Sequence, residues 1–336
     1  MQNEQVWRDF YEAAIAFRDL KPWEWMYDGD LFGVEDPETG QTNYCCIMGN
    51  AGEVFALGYY LGEEGLKSYL LLSNQSGELT PVDQMALGLN QLLLKVEFVN
   101  REALDKPDLD TIKALGLKFQ GKKQWVQARE MKPAHLPMPI DAEQARVLTI
   151  GLQQAVEVAS LFKIDEGILG DRETGKVLLR KKNKEQWTNT YPPPKAFNVT
   201  PFPIVFPDQG EIQRTRQYPK KETAWLFIHE YLTMPVGHES GKGYYFPKIN
   251  LWVNYADGII NTFQLVQPGE EEKVIEESFF ENLDQMKFRP KQIGVNSAMG
   301  YRAIREFCKA LDIELLFIPD EPLFDEVMQS FKGLAG

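Results

Sequence analysis

Two polar residues, Asn296 and Ser297, stand where α/β proteins often place their chemistry. They follow the apolar stretch "KQIGV" and precede the helical pattern "AMGYRAIREFCKALD". Serine or asparagine directly before a helix caps its free backbone N–H groups. The same N–H groups can instead contact an anionic ligand. Asn296 and Ser297 are therefore candidate ligand-binding residues, with helix capping as the alternative.

Three carboxylates in the same part of the chain are candidate catalytic residues. Glu230 is a polar exception on an otherwise apolar side of the predicted strand "TAWLFIHEYLTM", and Asp325 and Glu326 open the last predicted helix. Converging carboxylates bind the divalent cations that metal-dependent hydrolases use. An ion pair with lysine or arginine is the alternative role for Glu230.

The histidines and cysteines do not form a pattern typical of a metal site. His135, His229 and His238 are the three histidines, and no two of them have H-x-x-x-H spacing. The three cysteines lack the C-x-x-C spacing of zinc sites. Glycine-rich phosphate-binding motifs are also absent from the sequence. We therefore expect no metal and no cofactor.

Composition indicates a cytoplasmic protein of two domains. The chain has 336 residues, of which 43% are hydrophobic and 12% aromatic, and domains usually have about 100–200 residues. No apolar run reaches the roughly 18 residues that a membrane-spanning helix needs. An odd number of cysteines without a secretory signal predicts reduced thiols. No membrane partner is expected.

The charge is acidic and unevenly distributed. The net charge is −13, with 5 Lys and Arg against 16 Asp and Glu in residues 1–100, 17 against 13 in residues 101–200, and 14 against 20 in residues 201–336. Acidic surfaces repel phosphate backbones, so nucleic acid is disfavoured as a partner. If it binds, the basic residues of the middle segment must gather on one face: Lys118, Lys122, Lys123, Arg129, Lys132 and Arg180–Lys184.

A proline-rich segment from residue 197 to residue 213 predicts the domain boundary, which we place near residue 208. Residues 1–208 are expected to form an α+β domain with a small antiparallel sheet. Thr80 and Pro81 have the chemistry of a helix start, and the pattern predicts a helix from Thr80 to about Phe98.

Residues 209–336 predict a mixed α/β domain with the order β-β-β-α-β-α-β-α. An Asp257-Gly258 turn joins two of the first three strands, which therefore run antiparallel. Strands joined through helices run parallel by right-handed crossovers. The expected result is a mixed five-stranded sheet flanked by helices.

Aromatic residues are dense around the predicted N-terminal sheet. Trp23, Trp25, Tyr59 and Tyr60 are the main members of this group. Core packing explains such residues, but tryptophan and tyrosine are also enriched at protein interfaces. We therefore name these four residues as a candidate aromatic face for a protein partner.

The stretch "RPKQIGVNSAMGYRAIREFCKALDIELLF", with the strand and turn "VNYADG" before it, resembles the core of ribonuclease H-like proteins, including transposases and integrases. The resemblance covers roughly residues 223–331. It implies carboxylates on the first strand, at the end of the fourth strand and on a later helix, around two divalent metals. Asn296 stands at the fourth-strand position, so the resemblance implies a degenerate core with a neutral amide where a metal ligand is required.

The whole chain also resembles bacterial proteins built from two adjoining domains of unknown function. The segments that carry this resemblance are "LKPWEWMYDGDLFGVEDPETGQTNYCCIMGNAGEVFALGYYLGEEGL" and "FRPKQIGVNSAMGYRAIREFCKALDIELLFIPDEPLFDEVMQSF". It implies a bacterial origin and a two-domain architecture, and no reaction.

Three functional hypotheses follow from the sequence. The first is a non-catalytic binding or interaction protein. The second is a metal-dependent nuclease or phosphoryl-transfer enzyme, which requires the candidate carboxylates to converge within about 4–6 Å. The third is a nucleic-acid-binding protein that uses the basic middle segment.

Overall fold

The structure is a computed structural model that describes residues 2–73, 79–171, 174–194, 199–200, 202–238, 241 and 243–334. Helices and strands are both abundant, and the sheets include parallel and antiparallel neighbours. The predicted mixed α and β class is therefore confirmed.

Contacts along the chain define two compact units. The first contains residues 1–73, 91–132 and 137–199, and the second contains residues 74–90, 133–136 and 200–336. Two short segments of the first 200 residues thus pack with the C-terminal part of the chain. The boundary near residue 208 stays a prediction, and residues 197, 198 and 201 of the proline-rich segment lie outside the described residues.

The helices of the described residues have the following bounds: α1 Gln2–Leu20, α2 Gly62–Ser73, α3 Pro81–Leu89, α4 Lys106–Ala114, α5 Ala142–Phe162, α6 Gln209–Thr215, α7 Glu271–Met286, α8 Ala298–Ala310 and α9 Leu323–Leu334. Single 3-10 turns are formed by Pro22–Glu24, Arg101–Ala103 and Glu166–Leu169.

The strands have the following bounds: β1 Phe32–Glu35, β2 Thr42–Met48, β3 Ala56–Tyr60, β4 Leu93–Val99, β5 Trp125–Met131, β6 Met138–Pro139, β7 Gly170–Asp171, β8 Lys176–Val177, β9 Leu179–Asn183, β10 Gln186–Thr190, β11 Lys220–Tyr231, β12 Val236–Gly237, β13 Tyr244–Tyr245, β14 Lys248–Asn254, β15 Ile260–Val266, β16 Arg289–Val295 and β17 Glu314–Phe317.

The first unit is built on an eight-stranded sheet with the order β10-β9-β1-β2-β3-β4-β5-β6. Strands β1 and β9 are parallel, and the other neighbouring strands are antiparallel. The prediction of a small antiparallel sheet is therefore wrong in size and in strand direction. The sheet is larger because the hairpin of β9 and β10 and the extended segment of β5 and β6 extend it at its two ends.

The helix predicted from Thr80 to Phe98 is also wrong in its second half. Helix α3 ends at Leu89, and residues 93–99 form strand β4 between β3 and β5. The run "LLLKVEFV" has apolar residues at both helical and strand spacing, so its pattern alone does not distinguish a helix from a strand. Pairing with two neighbouring strands decides the outcome, because residues 93–97 pair with β3 and residues 93–99 with β5, which gives their backbone groups partners on both sides.

Helices α1 and α5 pack against each other and against one face of the first sheet. Close approach of α5 depends on Gly151, where an added Cβ would lie 2.9 Å from a ring carbon of Tyr59. Tyr59 is completely buried, so its ring has no room to move away. Residue 151 must therefore be very small.

The second unit is built on a five-stranded sheet with the order β15-β14-β11-β16-β17. Strand β11 is antiparallel to β14, and β14 is antiparallel to β15. Strand β16 is parallel to both β11 and β17. The second unit is therefore a mixed sheet whose central strand is β11.

The side chains of β11 alternate between two hydrophobic cores. Trp225 and Phe227 pack with residues of helices α7 and α8, whereas Leu226 and Ile228 pack with residues of helix α9. Successive side chains of a strand point to opposite faces. The sheet is thus covered on both faces, as its apolar strands require.

No helix among the described residues is both long enough and apolar enough to cross a bilayer.

We expect Gly151→Ala to lower the free energy of unfolding by about 1–3 kcal/mol, because the added methyl overpacks the contact with Tyr59. The measurement is chemical denaturation followed by tryptophan fluorescence. Gly88→Ala is the matched control, since Gly88 is also helical and an added Cβ there meets nothing within 4 Å. The control should be neutral or stabilising. Equal effects of the two substitutions would show that the contact with Tyr59 is not tight.

Candidate functional site

A cavity of about 700 Å³ lies within the second unit. Its polar wall includes His229 and Tyr231 of β11, Lys248 of β14 and Glu271 of α7. Its apolar wall includes Phe202, Val205, Phe206, Ile275, Met299 and Ala303. Volumes of about 300–1,000 Å³ are typical of sites for small molecules.

Strands β11 and β14 position the polar wall. His229 is paired with Asn250 and Tyr231 with Lys248 across the antiparallel ladder. Residues 229 and 231 lie on the same face as Phe227, whose ring stacks 6.0 Å from the imidazole of His229. The two-residue period of the strands therefore brings a histidine, a tyrosine and a lysine to one wall.

His229 is a neutral histidine inside the protein. Burial, with a smaller contribution from the charge of Lys248, lowers the pKa of its imidazole to about 3. Nδ1 lies 2.6 Å from the side-chain oxygen of Asn250, which can only accept, so Nδ1 carries the hydrogen. In a neutral imidazole the other ring nitrogen, Nε2, then carries no hydrogen and can accept a hydrogen bond from a ligand.

Asn250 is held in turn by the helix behind it. Its side-chain nitrogen lies 3.4 Å from the hydroxyl of Ser278, and that hydroxyl donates to the backbone oxygen of Ile275 at 3.0 Å. All three polar side chains of this chain are buried. The tautomer of His229 is therefore set by a hydrogen-bond chain that ends on helix α7.

Lys248 is a largely buried cation, and its ion pair with Glu271 is long. Its side chain is 13% exposed, and its ammonium lies 3.4 Å from Oε1 of Glu271. The other carboxylate oxygen of Glu271 accepts the backbone N–H of Gly269 at 2.9 Å. The ammonium also lies 4.7 Å from the ring centre of Tyr231. Burial lowers the pKa of Lys248, and the charge of Glu271 opposes this effect.

The family of the chain can be identified from its first half. Residues 7–180, just over half of the chain, match the model of a domain of unknown function, DUF7309. The chain belongs to the DUF7309 family. Residues 211–332 match a second domain of unknown function, DUF6930. The predicted resemblance to a pair of such domains is confirmed, and no curated protein matches the chain.

An integrase catalytic core domain and an intasome are among the solved structures that are similar to this DUF7309 chain. The trimeric form of the HTLV-2 integrase catalytic core domain in complex with magnesium is 14% identical and covers 35% of this chain and 70% of its own, with a TM-score of 0.26. The simian T-cell lymphotropic virus intasome in complex with PP2A regulatory subunit B56 gamma is 14% identical. The match covers 39% of this chain and 42% of that chain, with a TM-score of 0.25. These similarities are too low to indicate a function.

Ser297 has the capping role that was the alternative to ligand binding. It is the N-cap of α8, and its hydroxyl accepts the backbone N–H of Gly300 at 3.0 Å. Asn296 is 8% exposed, and its side-chain oxygen has no hydrogen-bond partner among the described residues. A ligand role for Asn296 and Ser297 stays a prediction.

An internal carboxylate occupies the N-terminus of α8. The two side-chain oxygens of Asp83 accept the backbone N–H groups of Ala298 and Met299 at 2.9 and 3.0 Å. Asp83 is 1% exposed and lies in the first turn of α3. No local signal in the sequence links Asp83 to a helix more than 200 residues away in the chain.

The candidate catalytic carboxylates are spread over two elements. Glu230 is paired with Ile249 near the end of the ladder between β11 and β14. Asp325 and Glu326 are exposed in the first turn of α9. Within the described ranges, no group of three His, Cys, Asp or Glu side chains is arranged to hold a metal ion. The catalytic role of these residues stays a prediction.

The candidate aromatic face is not a surface. Trp23, Tyr59 and Tyr60 are at most 8% exposed, and Trp25 is partly buried, with its indole N–H donating to the backbone oxygen of Ala159 at 3.0 Å. The prediction of a partner-binding face at these residues is wrong. Tyr59 and Tyr60 lie on β3 between β2 and β4 and point to opposite faces of the sheet. Tyr59 packs in the large core of the first unit, and Tyr60 packs against Tyr69 of α2.

Two of the candidate nucleic-acid contacts are also buried. Arg129 is 6% exposed and pairs with Asp105 and Asp108 at 2.8 and 2.7 Å. Arg180 is 3% exposed and pairs with Glu157. A phosphate-binding face that includes both arginines is therefore excluded.

We expect the stability of the protein to fall faster with acidification in the wild type than in a His229→Gln variant. The pKa of His229 is about 3 in the folded protein and about 6.5 in an unfolded chain. The unfolded state therefore takes up the proton first, and stability is lost as pH falls from about 6.5 toward 3. The expected loss is about 1.4 kcal/mol per pH unit.

The measurement is the free energy of unfolding between pH 7 and pH 5, where few carboxylates titrate. Equal slopes for the wild type and His229→Gln would contradict the buried, neutral state of the imidazole.

We expect Asp83→Ala to lower the free energy of unfolding by about 1–3 kcal/mol, because two buried N–H groups lose their acceptor. Urea denaturation measures the change. Asp325→Ala is the control, since Asp325 is an exposed carboxylate in the first turn of a helix, where about 0.3–1 kcal/mol is expected. An Asp83 effect no larger than that of the control would refute the proposed cap.

Proposed function

We propose that the chain is a non-catalytic binding protein and that the cavity of its second unit holds a small organic molecule. The observation that carries this proposal is the largely buried ammonium of Lys248, which among the described residues pairs with the carboxylate of Glu271 at 3.4 Å. Ion pairs elsewhere in the chain are tighter, such as Lys291 with Glu222 at 2.6 Å. A buried cation is costly unless it is well paired, so a ligand oxygen is favoured beside Lys248.

Two groups of the polar wall, the ammonium of Lys248 and the imidazole of His229, define the head group of the ligand. Lys248 donates, and Nε2 of the neutral His229 accepts. A head group that combines an oxygen acceptor with a hydroxyl or an N–H group satisfies both. Carboxylic acids, hydroxy acids and hydroxycarbonyl compounds have this chemistry.

The opposite wall defines the body of the ligand. Phe202, Val205 and Met299 are apolar residues of this wall, and Met299 and Val205 are buried in the protein. Apolar surface that leaves water here contributes about 25 cal/mol per Å². The ligand is therefore amphipathic, with a polar head and an apolar body.

We also propose a ribonuclease H-like topology for the second unit. The order β15-β14-β11-β16-β17, with two antiparallel and two parallel pairings, supports it. A metal-dependent nuclease on this sheet would need an acid where the neutral Asn296 stands, and no observation favours that activity. A cytoplasmic location is supported by the free, buried thiols of Cys45, Cys46 and Cys308.

We expect 3-phenylpropanoate, a carboxylate with an apolar body, to raise the melting temperature of the protein, because a ligand of the native state stabilises it. Stabilisation should be about 1.4 kcal/mol at ten times the dissociation constant. Methionine has a side chain of similar length to lysine but no ammonium. In Lys248→Met, most of the rise in melting temperature should therefore disappear.

Lys273→Met is the matched control. Lys273 lines the same cavity, but its side chain is 74% exposed, and the control should keep the response. The proposal fails if neither 3-phenylpropanoate nor its aldehyde and alcohol analogues bind to the wild type. It also fails if Lys248→Met responds like the wild type.

A further inference from the structure

We propose that Lys248 binds its ligand covalently and reversibly, as an imine with a small aldehyde or ketone in the cavity. This inference rests on the proposed function, because it requires the cavity to be the ligand site. It adds the chemical class of the ligand and names the bond that holds it.

The first requirement for an imine is an amine that is held in place beside an open volume. Lys248 lines the cavity of about 700 Å³. The ring of Tyr231 at 4.7 Å and the carboxylate of Glu271 at 3.4 Å hold its Nζ beside the cavity and leave it room to turn toward a ligand. The amine is therefore positioned before the ligand arrives, which lowers the entropic cost of the reaction.

The second requirement is that the amine can lose its proton. Burial lowers the pKa of Lys248, and desolvation is one of the ways in which proteins activate lysine as a nucleophile. Glu271 is the carboxylate nearest to receive this proton. The ammonium already donates a long hydrogen bond of 3.4 Å to Oε1 of Glu271, and a small side-chain movement shortens it.

The third requirement is a proton acceptor and donor for the steps that follow. Nζ attacks the carbonyl carbon, a C–N bond forms, and the carbonyl oxygen becomes a hydroxyl with the proton that Glu271 has taken from Lys248. Loss of this hydroxyl as water, with a second proton from nitrogen, leaves the imine. The balance is amine plus carbonyl compound to imine plus water, and no oxidant or reductant takes part.

His229 is suited to the carbinolamine that precedes the imine. Its neutral Nε2 can accept a hydrogen bond from the new hydroxyl group. A protonated imidazole would instead repel the cation beside it. The low pKa of His229 therefore keeps this acceptor available at neutral pH.

A second lysine of the same cavity provides an internal comparison. Lys273 is 74% exposed, and its nearest carboxylate is Glu277 at 3.7 Å on the same helix. It meets the same ligand at the same concentration, but it lacks the burial and the positioning of Lys248. A selective reaction at Lys248 is thus a property of the site and not of lysine in general.

The experiment incubates the full chain with 3-phenylpropanal at pH 7, traps the imine with cyanoborohydride, and maps the modified lysines by peptide mass spectrometry. We expect Lys248 to be labelled at least about tenfold faster than Lys273, because Lys248 is desolvated and held beside the cavity whereas the side chain of Lys273 is 74% exposed. Lys248→Arg keeps the positive charge and should lose only the Lys248 label. Glu271→Gln removes the proton acceptor and should slow labelling of Lys248 and shift its pH profile, with Lys273 unchanged.

Two analogues separate this inference from the proposed function. 3-Phenylpropanol and 3-phenylpropanoate cannot form an imine but share the apolar body. If they bind and the aldehyde labels Lys248 and Lys273 equally, the imine is excluded and the binding site stands. If neither the analogues nor the aldehyde bind, both proposals are overturned. Circular dichroism of each variant shows whether it is folded.

Discussion

The alternation of side chains along the central strand β11 is the constraint on which the chemistry of the second unit depends. His229 and Glu230 are neighbours in sequence, but a strand sends them to opposite faces of the sheet. His229 lies on the face of the cavity with Lys248 of the paired strand. Glu230 lies on the face of α9. A shift of one residue in register would exchange the two, and the cavity would gain an acid in place of a neutral base.

Burial then determines what the groups of the cavity can do. In water the imidazole and the ammonium would both be partly or fully charged at neutral pH. Inside the second unit the imidazole loses its charge, and the ammonium pairs with the carboxylate of Glu271 at 3.4 Å. Burying two cations side by side would cost several kcal/mol, so the site contains one cation and one neutral acceptor. This asymmetry gives the cavity a polar end that suits one head group.

The segment around α3 links the architecture of the second unit to this cavity. Asp83 at its start caps α8, and Ala86 and Asn90 line the cavity beside Met299. An anion at a helix N-terminus is stabilised by the free N–H groups and the helix dipole. The first free N–H groups of α8, those of Ala298 and Met299, thus have an acceptor within the chain.

Local chemistry in the sequence determined several features of this protein: the Ser297 cap, the Asp257-Gly258 turn, and the continuous apolar run of β11. These depend on neighbours within a few residues, so the sequence shows them directly. The tertiary structure alone decided that residues 93–99 form a strand, that Asp83 caps a distant helix, and that Trp23, Tyr59 and Tyr60 are buried. It also decided that His229 and Lys248, 19 positions apart in the chain, share one cavity. Pairing and burial depend on residues that are remote in sequence, and a local sequence pattern does not specify which remote residues it will contact.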